Sequence, residues 1–424
     1  DMLEPTKYGA QADITVQRAI TITANNRSKV YGELDALGAL PISTCTLTGI
    51  VPGVDPVAGE ITGITLTSAG GPVTATVAGS PYPIVPSAAT GPYNPAYYRI
   101  VYSDAGLLTV TERSLTLSEF VADDKMYDGT TLVDGTGFDD NRVNGDELTF
   151  GYSASFTDKH AGSNKTVDFT GITISGGAGA TNYTLVTLSG TAYADIYVRP
   201  INVTAKTDTK VYDGTVSSDE IPVVDPLQTG DDVTFAGSQT YDTPAVGAGK
   251  TMTATGTVID DGNGGNNYDI TFVQDHTGVI TRREITVTAD AGQTKVYGYP
   301  NPASYTWTLT LGTLAAGHHI EGAPTRDAGE TVGDYPINQG SLHVQDALNA
   351  DVTSNYDFTY VSDDFSITQR PITITADAGQ TKIYGENDPL PFTYTVGGDD
   401  LAAGDEFAGV LSRVSGEAVG DYPI

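Results

Sequence analysis

A chain of 424 residues is long enough for two to four ordinary domains, and only 17 % of it is charged. Its 53 acidic residues against 21 basic ones still give a formal charge of −32, a field that repels nucleic acid and anionic membrane. A single cysteine, Cys45, excludes an internal disulfide framework. No run approaches the roughly 18–20 apolar residues of a membrane span, so no membrane insertion is expected.

In chain order, the same phrase returns five times. It begins at Arg18, Arg113, Arg199, Arg283 and Arg370, continues as alternating apolar and polar residues, and ends on Lys–x–Tyr. The tyrosines are Tyr31, Tyr127, Tyr212, Tyr297 and Tyr384, with spacings by subtraction of 96, 85, 85 and 87 residues. A period of that length matches a whole small domain and not a solenoid turn. A Gly–(Asp/His) bend follows each of the last four tyrosines, centred on Asp146, Asp231, His318 and Asp405. A second glycine follows at Gly162, Gly247, Gly333 and Gly420, and an Asn–Tyr pair closes three units at Asn182–Tyr183, Asn267–Tyr268 and Asn355–Tyr356.

The register divides the chain into residues 1–17, the terminal strand of a preceding unit; 18–112, a repeat with an insertion; then 113–198, 199–282, 283–369 and an incomplete 370–424. Between landmarks the pattern has period two, as in Ile372–Thr373–Ile374–Thr375, with Thr, Val, Ile and Tyr dominant and Gly, Asn and Asp at the breaks. Nothing sustains a helical period. Six or seven short strands in about 85 residues predict an all-β fold: a tandem array of small Ig-like β-sandwich domains forming an elongated rod, with β-grasp-like units as the alternative. Junctions of one or two residues, stiffened by Pro200 and Pro371, leave little room for hinging.

Tyr127–Asp128–Gly129–Thr130 and Tyr212–Asp213–Gly214–Thr215 resemble the YDG domain of large bacterial surface proteins. Val30–Tyr31–Gly32, Val296–Tyr297–Gly298 and Ile383–Tyr384–Gly385 resemble the MBG domain of the YGX type, supported in the last two units by Gly–Asp–Tyr–Pro–Ile. The first unit has Gly79–Ser80–Pro81–Tyr82–Pro83–Ile84 in that place and fits less well. The resemblance implies a tandem stalk within a large secreted or surface-anchored adhesin, and no enzymatic activity.

The recurring lysines, Lys29, Lys125, Lys210, Lys295 and Lys382, invite comparison with surface sandwiches that join lysine to asparagine covalently. The simpler expectation is a lysine whose stem covers the core at a strand edge while its head reaches water. The recurring tyrosines are expected to pack their rings in the core while their hydroxyls tie down a loop, as in the tyrosine corner, with the next glycine marking a tight turn. His318–His319 lies at the bend where other units carry acids, which is expected to be a solvent-exposed turn, and no third nitrogen or sulfur ligand is near it. Calcium is the sole candidate cofactor: Asp139, Asp140, Asp260 and Asp261 supply hard oxygen ligands, though neither pair has the spacing of a twelve-residue calcium loop. The glycine runs fit no phosphate cradle, and the scattered carboxylates offer no acid/base pair.

These features predict a non-enzymatic, extracellular structural stalk of a bacterial surface adhesin or a matrix or filament protein, whose partners are neighbouring repeats of the same chain. The alternative is a glycan- or protein-binding module, with its site in the first repeat's Pro- and Tyr-rich stretch from Pro81 to Tyr98. The shortened last unit and the surplus Ile14–Thr15–Val16 have two explanations: a chain that continues, or head-to-tail homo-assembly by strand addition.

Overall fold

The computed structural model describes residues 16–51 and 60–424. The expected strand at residues 14–16 lies largely outside them. Among the described residues the chain is strand and loop, with helix limited to three-residue 3-10 turns such as Ala180–Asn182 and Thr353–Asn355. A β-grasp unit lays a helix across its sheet, and no such helix is present among the described residues. By contacts the chain forms two compact units: residues 1–199 with 228–231 and 261–269, and residues 200–227 with 232–260 and 270–424.

Within the second unit, the repeat that starts at Arg283 shows the plan. Its first strand, Arg283–Ala289, lies between Trp307–Leu311, antiparallel to it, and Tyr356–Val361, parallel to it. The chain then crosses to a four-stranded sheet in the order Thr294–Val296, Asp364–Thr368, Gly333–Asn338, Thr325–Arg326, where the first pair is again parallel. Alternation buries Ile285, Val287 and Ala289 on the first sheet, and Ile337, Phe365 and Ile367 are buried on the second. Ala289, Ile337, Phe365 and Ile367 form one buried cluster, so the two sheets pack face to face. The repeat has nine strands where six or seven were expected, because turns divide the runs into short segments.

The first repeat, in the first unit, follows the same plan. Arg18–Ala24 is parallel to Tyr98–Ser103, and Arg27–Val30 is parallel to Gly106–Thr111. Its insertion adds strands to the second sheet, which becomes five-stranded in the order Arg27–Val30, Gly106–Thr111, Tyr82–Thr90, Gly63–Thr67, Ala39–Pro41. Ile20, Ile22 and Ala24 meet Ile64, Leu66, Ile84 and Leu108 in its core.

A repeat's first strand and the strand opened by its Asn–Tyr pair begin at the same end. The starting arginine, the asparagine and the second tyrosine are therefore brought together, facing the repeat before.

Candidate functional site at the seams between repeats

The recurring landmarks converge where one repeat meets the next. In the first unit, Tyr127 has its ring fully buried, and its hydroxyl donates to Asp231 Oδ2 at 2.8 Å. Tyr268 donates to the same oxygen at 2.7 Å, and Lys159 holds the other, Oδ1, at 2.9 Å. The two tyrosine rings meet edge to face at 5.5 Å and 79°. The Asp231 side chain is wholly shielded from solvent. Burial pushes its carboxyl pKa up, but the bonds from Lys159, Tyr268 and Tyr127 outweigh that and hold it below its ordinary value. Burial and the neighbouring carboxylate push the Tyr268 hydroxyl up to about 12.

The seam between the first two repeats has the same frame. Tyr31 and Tyr183 meet at 5.5 Å and 79°, and both hydroxyls donate to Asp146, at 3.1 and 2.5 Å. Burial first, and then the bond to Asp146, raise the Tyr183 hydroxyl to about 12. In the second unit, Tyr212 and Tyr356 meet at 5.5 Å and 77°, but His318 stands in the place of the carboxylate. The Tyr356 hydroxyl lies 2.8 Å from His318 Nδ1, and the imidazole packs against Tyr212 at 5.8 Å. Further along, Tyr297 donates to Asp405 at 3.3 Å.

Backbone contacts accompany each aromatic pair. The second tyrosine's hydroxyl accepts from an N–H three residues before the acid or histidine: Val143 at 2.8 Å, Gln228 at 2.9 Å and Ala315 at 3.0 Å. The asparagine accepts from the preceding repeat, with Val77, Ala161 and Val246 N–H donating to Asn182, Asn267 and Asn355 Oδ1 at 2.8–2.9 Å. The starting arginine donates back to the tyrosine carbonyl: Arg199 to Tyr127, Arg283 to Tyr212 and Arg370 to Tyr297, at 3.3–3.4 Å. Arg113 departs from this and donates to Asn141.

The glycines after Tyr31 and Tyr297 serve the seam as well as the turn. Gly32 has φ +83°, and a Cβ there would stand 2.4 Å from Val143 Cγ2 of the next repeat. Gly298, at φ +81°, would meet Ala402 Cβ at 2.6 Å. Buried apolar side chains continue across: Tyr31, Ala75 and Val110 form one cluster with Leu115, Leu148 and Tyr183. Ala205, Tyr212 and Met252 join Ile285, Ala315 and Tyr356 in the same way. At these two seams a core shared by two repeats makes the junction an interior and not a linker.

The loop that the tyrosine hydroxyl ties down belongs to the next repeat, at Tyr31, Tyr127 and Tyr297. The Gly–(Asp/His) bend was expected to be solvent-exposed, but Asp231 is buried and Asp146 and His318 are half-buried, because the following repeat presents this bend to its predecessor. Asp405 alone of the four matches the expected exposure. Tyr384, which has no following repeat within the 424 residues, is 73 % exposed.

Lys29, Lys125, Lys210 and Lys295 occupy edge strands and Lys382 lies in a loop, and their heads are not free in water. Lys29 donates to the carbonyls of Glu33, Gly71 and Pro72. Lys125 and Lys210 each hold the aspartate of their own motif, Asp128 at 2.8 Å and Asp213 at 2.9 Å. Lys295 binds Glu330, and Lys382 binds the matching Glu417. Lysine and asparagine of one repeat thus take different partners: Lys125 bonds within its repeat, while Asn182 bonds to the repeat before.

The four acidic candidates do not converge. Asp140 forms a two-pronged pair with Arg142, and Asp139 is exposed beside it. Asp261 is spent on the N–H groups of Asn263, Gly265 and Asn267, which shape the loop that presents Asn267 to the seam; Asp260 is exposed at the end of the strand Val258–Asp260. In the first repeat, Tyr82 and Tyr93 are tucked against the fold, leaving Tyr97 exposed, so the segment from Pro81 to Tyr98 presents no cluster of aromatics. No described helix is long and apolar enough to cross a membrane.

Compared with known families, residues 111–192 and 197–277 match the YDG domain. Residues 285–366 and 372–424 match the MBG domain of the YGX type. No curated protein matches the chain. The seams explain why both motifs take the form they do. In the YGX type the glycine follows the tyrosine directly, against the next repeat. In the YDG type an aspartate intervenes, and it is the partner of the buried lysine.

Proposed function

The chain belongs to the YDG and YGX-type MBG domain families, in tandem, and from that premise we propose that it is a non-enzymatic structural stalk segment of a bacterial surface adhesin or matrix protein, working outside the cell. The observation that carries this reading is the shared core at the seams. Paired tyrosines and polar bonds shielded from solvent join the first four repeats in turn, as in Tyr31–Asp146–Tyr183 and Tyr127–Asp231–Tyr268. Such junctions resist hinging, which suits a spacer and has no evident use in a catalyst. The charge of −32 favours solubility of an extended chain and disfavours adhesion to anionic surfaces through the repeats themselves. Its partners in this reading are the neighbouring repeats of the same chain.

The test is antibody labelling of intact, unpermeabilised bacteria that produce the protein, with protease shaving in parallel. Labelling of intact cells is expected. Signal that appears only after permeabilisation would overturn the reading.

A further inference from the structure

We propose that the repeats are load-bearing shear clamps, built so that tension along the chain is met by parallel strand ladders loaded along their whole length. This rests on the stalk reading for its biological use, though not for its physics. In the repeat that starts at Arg283, the chain enters at the start of Arg283–Ala289 and leaves at the end of Asp364–Thr368. The first strand pairs in parallel with Tyr356–Val361 over six residue pairs, from Arg283↔Tyr356 to Thr288↔Val361. The strand after it pairs in parallel with the departing one, Thr294↔Ser366 to Val296↔Thr368.

Parallel strands pulled at opposite ends slide past each other. Their hydrogen bonds lie across the force, so all must fail nearly together. An antiparallel hairpin pulled from its two ends opens one bond at a time, and each bond bears the full load in turn. Both parallel ladders of this repeat lie between the points where tension enters and leaves. The antiparallel edge strands, Trp307–Leu311 and Thr325–Arg326, lie outside that path.

The first repeat carries the same pair of clamps, with six residue pairs between Arg18–Thr23 and Tyr98–Ser103 and four between Arg27–Val30 and Leu108–Thr111. The second repeat has shorter ones: three pairs between Arg113–Leu115 and Tyr183–Leu185, and two between Lys125–Met126 and Ile196–Tyr197. It is therefore the weakest of these three under load. In the last repeat the described pairing is one antiparallel hairpin, Ile372–Ala376 with Tyr394–Gly398, so it is expected to give no resisting event. The seams add to the device: the paired tyrosines and the asparagine bond bridge one clamp to the next, so tension passes between folded parts.

The experiment is single-molecule stretching of the 424-residue chain in two directions, with Cys45→Ser removing the native thiol. One form is held by cysteine tags at its two ends. The other carries Arg282→Cys and Ser354→Cys, two exposed positions at the starts of the parallel pair, so that the same ladder is peeled open. Matching thermal melts establish that both forms are folded. The expected result is unfolding forces several-fold higher end to end than across 282 and 354. Equal forces in both directions, or end-to-end unfolding without resolved events, would overturn the clamp. A clamp that fails in a chain displayed on the cell surface leaves the stalk reading standing; high end-to-end force in a chain confined to the cell interior does the reverse.

Discussion

The seam around Asp231 and the seam around His318 share a frame and differ at its centre. Both have two tyrosines edge to face at 5.5 Å, an asparagine bound to the preceding repeat, and an arginine returning to the tyrosine carbonyl. At the first, a buried carboxylate collects two hydroxyls and a lysine. At the second, an imidazole takes one hydroxyl and stacks on the other tyrosine. The aromatic pair and its backbone contacts are therefore what define a seam, and the polar group inside is exchangeable. The exchange has a cost in kind: the carboxylate is tied into three charge-assisted or short bonds and depends on all of them, whereas the histidine depends on few.

The largest effects should come from the shared frame. Tyr127→Ala and Tyr212→Ala each remove a fully or almost fully buried ring, and each should cost about 3–5 kcal/mol by chemical denaturation. Comparable losses are expected; a seam that tolerates truncation of its tyrosine is not held by the pair. Next come the centres. Asp231→Ala leaves Lys159 and two hydroxyls without their acceptor, at a cost of about 2–4 kcal/mol, against about 1–2 kcal/mol for His318→Ala. Equal losses would erase the distinction between the seams.

Acid should separate them as well. The Asp231 pKa lies below its ordinary value of about 3.9, so its contribution is complete above that pH and is lost as pH falls through the folded-state value. Melting temperature should therefore fall more steeply below about pH 4 in the native chain than in Asp231→Asn. At the alkaline end, Tyr183 and Tyr268, at about 12, should ionise later than free tyrosine at about 10, read as a late phase in phenolate absorbance. Raised tyrosine values contribute stability that is complete below about pH 10 and is lost as pH rises through the folded-state values. The smallest effect is removal of single hydroxyls: Tyr127→Phe should cost about 1 kcal/mol, and Tyr212→Phe, which faces no carboxylate, about half of that.

Much of the fold was legible in the sequence. The alternation in Arg283–Ala289 gave its inward Ile285 and Val287, and the recurring phrases gave the families of the last four repeats. Strand direction was not legible, because a period of two says which face is buried and nothing about which strand lies alongside. The parallel pairing was missed for that reason, and with it the placement of Asn–Tyr at the end facing the preceding repeat. The tyrosine was read as a core residue, but its true partner, Asp231, lies 104 residues from Tyr127 in sequence. A signal did exist: tyrosine, bend and Asn–Tyr recur in fixed register, each where a neighbouring repeat can use it. The bend was read as exposed because Gly–Asp is turn chemistry, and turns are normally wet; here a second repeat covers it.

The central claim, that seams are interiors shared by two repeats, is tested most directly by amide hydrogen exchange at Val77, Ala161 and Val246, whose N–H groups donate across the seams to Asn182, Asn267 and Asn355. All three should be protected to a degree comparable with core strands, and Asn267→Ala should release Ala161 while leaving Val77 and Val246 protected. Exchange of these amides as fast as exposed loop amides in the native chain would contradict the account.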